Sequence, residues 1–364
     1  MDRLRALKAI RLEPTDRIPM CEHFSNPAAE EAITGIDPWQ HPKLARERLH
    51  ELTHMDLGGI PDSDEPIPRI PECQSSFSDS DGRRSVRWGT GQTWHWDWGQ
   101  HFPDIDSVRR YSPLDHPDQS KMEVVESRDY LISVEDLAKQ YQAGIDRARE
   151  LAGDRCLVTG GFYNTIFMWP LLTFGWENLL ELGAAYKEDC QRILAEFAEF
   201  SRKVFQAWAL TDVEVVCSHD DICYQAGPVF SPAWLREMVY PYYEEFWGYL
   251  HGAGIKVLFM CDGNVDQVAD DVIACGADGI ISEPYTNWPA IAEKHPYAVL
   301  MGDGDNRVLS TGDREAVFAM VRRMAEWGKR YPGYFLCCGN HIPWDVSVEG
   351  VKAYFEAAEL YGLR

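Results

Sequence analysis

The sequence is short of positive charge and has no long apolar run, and each shortage removes a class of function. Lys and Arg number 35 against 58 Asp and Glu, for a net charge of −23. Binding to a phosphate backbone draws on clustered Lys and Arg; no such cluster occurs, which excludes nucleic acid as a partner. An acidic surface favours solubility and permits docking to a basic partner. An uninterrupted apolar stretch of about 18 residues, long enough to span a bilayer, is missing. The opening Met1-Asp2-Arg3-Leu4-Arg5 leads into an amphipathic stretch with no apolar block. No secretory signal is therefore expected, and the chain is expected in the cytoplasm. There, ten cysteines are reduced thiols rather than a disulfide framework. Gly160-Gly161 lacks the three-glycine spacing of a dinucleotide fingerprint. Gly302-Asp303-Gly304-Asp305-Asn306 lacks the full calcium-loop pattern and its closing Glu. It reads as a tight turn from which Asp305 or Asn306 reaches a site.

What the chain does have is short apolar runs alternating with longer helical patterns, the signature of parallel βα units. Strands are expected near 18–24, 55–60, 156–161, 213–219, 256–261, 278–283, 297–302 and 333–338. Helical patterns run from about 183 to 209, from Ser231-Pro232, and over 314–330, where Val317, Phe318, Val321, Met324 and Trp327 share a face. Eight such units make an α/β fold of the (β/α)₈ TIM type, which typically needs about 250 residues and grows by insertion. The expected organisation is one barrel domain over 1–364. An insertion at 62–130 follows the second strand and covers the barrel mouth. Val86, Trp88, Thr93, Trp94 and Trp96 flank Gly89-Thr90-Gly91 and read as a β-hairpin inside it. Its tryptophans either wall a cavity or simply pack.

Six of the expected strands end in polar or reactive groups. These are Cys21-Glu22-His23, His219-Asp220-Asp221, Cys261-Asp262-Gly263-Asn264, Glu283-Pro284-Tyr285, Asp303-Gly304-Asp305-Asn306 and Cys337-Cys338-Gly339-Asn340-His341. In a barrel these ends converge on one mouth, where active sites of the fold sit. An enzyme or a small-molecule binder follows. Adjacent carboxylates beside a histidine raise one another's proton affinity, a perturbation that concentrates at functional sites. The alternative is that one aspartate caps a helix and the other pairs with an arginine. Cys156, Cys217 and Cys275 read as small buried hydrophobes, and His341 either serves the site or caps a turn. Of the neighbours Cys337 and Cys338, only one can point into the barrel.

Several of these segments, taken in order, resemble the uroporphyrinogen decarboxylase superfamily: Arg17-Ile18-Pro19, Asp220-Asp221-Ile222, Phe230-Ser231-Pro232, Asp262-Gly263-Asn264, Gly276-Ala277-Asp278 and Gly339-Asn340-His341-Ile342-Pro343. The resemblance covers nearly the whole chain and implies a distorted (β/α)₈ barrel. It offers two activities, decarboxylation of uroporphyrinogen and zinc-dependent methyl transfer with corrinoid proteins. The decarboxylase branch grips its many-carboxylate substrate with an arginine-rich loop. Here that stretch is Met20-Cys21-Glu22-His23-Phe24-Ser25-Asn26, without arginine, and an acidic entrance repels such a substrate.

The resemblance therefore implies the methyltransferase branch: a methyl group moved from a small O- or N-methylated compound to a corrinoid protein, with zinc as Lewis acid. The branch's usual zinc ligands, a His-x-Cys pair and a later Cys, fall here on Met260, Asp262 and Asn340. A re-sited metal is expected on Glu22, Cys261, Cys338 and His341, since zinc takes about three ligands from Cys, His and carboxylate. Catalytic roles are expected of His219, Asp220, Asp221, Asp262 and Asn340. Substrate contacts are expected of His23, Tyr163, Trp94, Tyr285, Asp305 and Asn306. Two alternatives stand beside this reading. One is a metal-free decarboxylase or lyase of a small acid using His219-Asp220-Asp221, and the other is a non-catalytic binding barrel. A homodimer is left open.

Overall fold

The apolar runs of the sequence become eight parallel strands in a computed structural model. It describes residues 2–69, 102–115, 131–339 and 341–364, and the backbone of 76–78, 84–88 and 92–95. The strands are β1 Met20–Cys21, β2 Met55–Leu57, β3 Gly160–Phe162, β4 Val215–His219, β5 Lys256–Met260, β6 Gly279–Ile281, β7 Val299–Asp303 and β8 Tyr334–Cys337. Their order in the sheet is β2-β1-β8-β7-β6-β5-β4-β3, so each strand lies beside its neighbours in sequence. The two end strands meet through a parallel bridge between Leu57 and Leu157, where the Leu157 N–H donates to the Asp56 carbonyl at 2.7 Å. The result is the expected α/β TIM-type barrel, with every expected strand present and its ends displaced by a few residues.

Alternation along the strands sorts side chains into two layers. Cys21, Leu57, Leu157, Val215, Cys217, Leu258, Met260, Ile281, Val299, Met301, Phe335 and Cys337 form the barrel interior. The residues between them, Val216, Val257, Phe259, Ile280, Leu300 and Leu336 among them, face the surrounding helices in the larger core. Helix Asp2–Ile10 plugs the floor of the barrel with Ala6, Leu7, Ala9 and Ile10. Its Arg5 donates to Asp56 at 2.7 Å, and Asp56 also accepts the Met20 N–H at 2.8 Å. The plug is thereby tied to both β1 and β2.

The helices follow from their patterns. Lys187–Trp208 buries Ile193, Phe197, Phe200 and Val204 at spacings that fall on one stripe. The helical pattern read over 183–209 is two helices, Met168–Ala185 and Lys187–Trp208, because the backbone leaves helical geometry at Tyr186 (φ −129°, ψ 58°). Ser231 caps helix Pro232–Met238 by accepting the Trp234 N–H, as its sequence suggested. Among the described residues, no helix is long and apolar enough to cross a membrane.

Within the expected insertion, backbone strands Arg84–Trp88 and Gln92–His95 pair antiparallel, with Ser76–Ser78 added on the far edge of the first. The chain returns from it with Phe102 buried edge-on against Tyr111 and Phe174, at 5.1 and 4.8 Å. The side chain of Trp94 and the expected cover over the mouth lie outside the described residues.

Candidate active site

The site grows out of the parity of β4. Val215 and Cys217 face the interior, so His219 and, one pleat further, Asp221 face inward at the mouth. Ser218 and Asp220 face the helices instead. Ser218 Oγ accepts from Trp247 Nε1 at 2.9 Å, and Asp220 accepts from the Tyr243 hydroxyl at 2.8 Å. His219 Nε2 lies 2.9 Å from Asp221 Oδ1, which also accepts the Asp262 N–H at 2.9 Å. That second bond ties the loop after β4 to the loop after β5. The turn presenting Asp262 requires glycine next to it. Gly263 has φ +84°, and a Cβ there would stand 2.4 Å from the Tyr224 backbone. The Gly263 N–H donates to Glu283 Oε2 at 2.7 Å, which brings in the end of β6. His219, Asp221 and Asp262, each half-buried, offer donor atoms that all lie within 4.8 Å of one another.

Electrostatics couple these groups. Burial disfavours the imidazolium of His219, but Asp221, and then Asp262 and Asp220, outweigh it and raise its pKa above the ordinary value. Burial works to raise Asp221, and the His219 charge overcomes it and holds its carboxyl below the usual range. Both directions favour the charged form of each partner, the imidazolium and the carboxylate. Around the pair stand Tyr163, edge-on to the His219 ring at 4.3 Å, and the rings of His23 and His341, 5.1 Å apart. Burial, with His23 adding to it, pushes His341 down to about 3. His23 is also lowered, by burial first and then by Arg46 and His219. These two histidines are therefore neutral at physiological pH.

The four expected metal ligands do not form one set, and parity is the reason: Glu22 and Cys338 touch each other in the helix layer, apart from His341. Among the described residues the one group of three metal-capable donors is His219, Asp221 and Asp262. Cys337 belongs to the interior, whereas Cys338 faces the helices, as Cys261 does beside the inward Met260. Burial pushes both thiols well above the ordinary cysteine value, which disfavours the thiolate a metal needs. Cys261 Sγ donates to the Asp262 carbonyl at 3.2 Å. Glu22, between the inward Cys21 and His23, also points outward. Its carboxylate accepts the Cys338 N–H at 3.1 Å and the Tyr354 hydroxyl. His341 alone of the four is at the mouth.

Asp220 is likewise a structural group. It is fully buried and accepts N–H bonds from Ile166, Phe167 and Met168 at 3.1, 2.8 and 2.7 Å. Of the expected substrate contacts, Tyr163 and His23 reach the cluster. Asp305 caps helix Asn306–Ser310 and pairs with Arg307, whose guanidinium also stacks on Tyr285 at 4.6 Å. Asn306 donates to the His341 carbonyl at 2.5 Å, so it positions the loop after β8. Asn340 lies outside the described residues. The sequence reading assigned no role to Glu283, although the step of two from the inward Ile281 gave the signal.

Burial pushes the Glu22 carboxyl from 4.5 up to about 8, against the pull of Tyr354 and the Cys338 N–H. A carboxyl whose folded pKa is raised stabilises the fold below its unfolded pKa and loses that contribution as pH climbs through the folded value. Unfolding free energy is therefore expected to fall between pH 4.5 and about 8, and Glu22→Gln, an uncharged mimic, should flatten part of that slope. Urea titrations of both proteins at several pH values check this; equal slopes would remove Glu22 as the cause.

Comparison with known proteins comes to the same architecture. A family model described as uroporphyrinogen decarboxylase (URO-D) matches residues 135–361. A solved methyltransferase from Methanosarcina mazei superposes with a TM-score of 0.62 at 16% identity, covering 99% of this chain and 98% of that one. A D-psicose 3-epimerase from Clostridium cellulolyticum H10 matches far more loosely, with a TM-score of 0.39 at 11% identity over 63% of this chain and 86% of that one. No curated protein matches the sequence. At 16% identity the likeness to the methyltransferase speaks for a shared fold alone.

Proposed function

Because the chain belongs to the uroporphyrinogen decarboxylase family, we propose that it is an enzyme of the methyl-transferring kind, taking a methyl group from a small O- or N-methylated compound and delivering it to a corrinoid protein. The observation that carries this reading is the inward-facing cluster of His219, Asp221 and Asp262 at the barrel mouth. An ether or amine nitrogen leaves a methyl carbon poorly, so the heteroatom must be protonated or polarised as the bond breaks and keeps the electron pair. The cluster is the electrophilic corner where that heteroatom would sit. The stretch Met20–Asn26 holds no arginine and the carboxylates of Asp221 and Asp262 gather at the mouth, a setting that disfavours the many-carboxylate substrate of a tetrapyrrole decarboxylase.

His219, Asp221 and Asp262 are the residues that would hold zinc, a fit to its taste for imidazole and carboxylate donors. Zinc held there would supply Lewis acidity to the leaving heteroatom, and the corrinoid would supply the methyl acceptor. The chain's own groups do the rest. Asp221 orients the His219 ring through Nε2, Tyr163 walls the cluster edge-on, and neutral His23 and His341 offer hydrogen bonds without adding charge. One observation favours a second reading, a metal-free lyase or decarboxylase: the His219–Asp221 pair at 2.9 Å is a complete acid–base unit by itself.

Incubation with a reduced corrinoid protein and a panel of methyl ethers and methylamines tests the proposal. Methylation of the corrinoid, read from its visible spectrum, is the expected result. Failure across the panel by folded protein, together with turnover of a small acid in the presence of chelator, would establish the second reading.

A further inference from the structure

We propose that His219, Asp221 and Asp262 form a divalent-metal site of one imidazole nitrogen and two carboxylate oxygens, in which no cysteine takes part. The inference deepens the function proposed above by placing its metal, and metal binding can be measured without any methyl transfer. Three observations carry it. First, the donor atoms lie within 4.8 Å of one another. Ligands about 2.1 Å from a tetrahedral zinc stand roughly 3.4 Å apart, so small side-chain rotations close the set. Second, the charges suit a dication: once an incoming ion displaces the His219 proton, two carboxylates and a neutral imidazole sum to minus two.

Third, the cluster is built as a ligand set needs to be. Asp221 is fixed by the Asp262 N–H at 2.9 Å, and the adjoining Gly263 N–H is held by Glu283 at 2.7 Å. Such outer contacts aim ligands and tune the ion. The side chains of His219 and Asp221 are 13% and 16% exposed, so solvent reaches both ligands. Cys261, next to Asp262, and Cys338 pack among the helices, and no thiol among the described residues joins the three donor atoms. A nitrogen and oxygen set accepts zinc, cobalt and manganese, and has none of the sulfur ligands that soft ions seek.

The test uses full-length protein stripped with chelator, loaded with zinc chloride or cobalt chloride alone, and freed of excess ion. Plasma mass spectrometry should find about one ion per chain, the load of a three-ligand site. The cobalt form should show weak visible bands and no sulfur-to-cobalt charge transfer. His219→Ala and Asp262→Asn should each weaken binding at least tenfold with unchanged circular dichroism. Cys261→Ser and Cys338→Ser should keep a full load. Wild-type protein that retains no metal, a sulfur charge-transfer band, or metal lost with either cysteine would overturn the site. Metal held at these residues without methyl transfer to any corrinoid would instead overturn the function and leave the site standing.

Discussion

Asp220→Ala is expected to cost the fold about 3–5 kcal/mol, the scale on which breaking a buried charged network destabilises a protein. The carboxylate sits fully buried under four donors: three successive N–H groups of residues 166–168 and the Tyr243 hydroxyl. Alanine would leave all four without their acceptor, and each unsatisfied buried donor costs about 1–3 kcal/mol, though not additively. Against a total stability of roughly 5–15 kcal/mol, that is a large share. Urea unfolding monitored by circular dichroism gives the number. A loss below about 1 kcal/mol, the worth of one ordinary hydrogen bond, would mean that water or a rearranged backbone replaces the carboxylate.

His219→Ala is expected to do the opposite, sparing the fold and removing turnover. The ring is half-buried at the mouth, is held by Asp221, and is touched edge-on by Tyr163. Whether His219 delivers a proton or binds a metal, the substrate heteroatom loses its electrophile. A kcat decrease of about 10²–10⁴ is the scale for a general acid. KM should move little, because the walls of the pocket stay in place. A variant within threefold of wild-type kcat would take His219 out of the chemistry. The contrast with Asp220 is what makes the pair informative: adjacent residues in sequence, one of which holds the barrel together and one of which works at its mouth.

That contrast also explains what could be read from the sequence and what could not. The eight strands and their polar ends were legible because apolar runs of the right length alternate with helical stripes. The side on which each polar residue lands was harder to read, since a shift of one residue along a strand turns a side chain from interior to helix layer. Choosing Cys338 over Cys337, and Cys261 beside Met260, put chemistry ahead of alternation. The chain's own pattern, Val215, Cys217, His219 and then Asp221, would have separated Asp221 from Asp220. Glu22 was misjudged for the same reason, because Cys21 faces inward and Glu22 must then face Tyr354. No local pattern announces that Tyr243 and Tyr354, on helices distant in sequence, end on those two carboxylates.

The barrel is joined by strand ladders around most of its circumference, and β2 meets β3 only through the bridge between Leu57 and Leu157. The segment between those two leucines carries the antiparallel strands Arg84–Trp88 and Gln92–His95 and comes back to the barrel helices at Phe102 and Arg109. Of the residues proposed for the chemistry, His219, Asp221 and Asp262 come from β4 and from the loops after β4 and β5. None of the described bonds that hold His219, Asp221 and Asp262 comes from the segment between the two leucines, so a change of length there leaves those bonds intact.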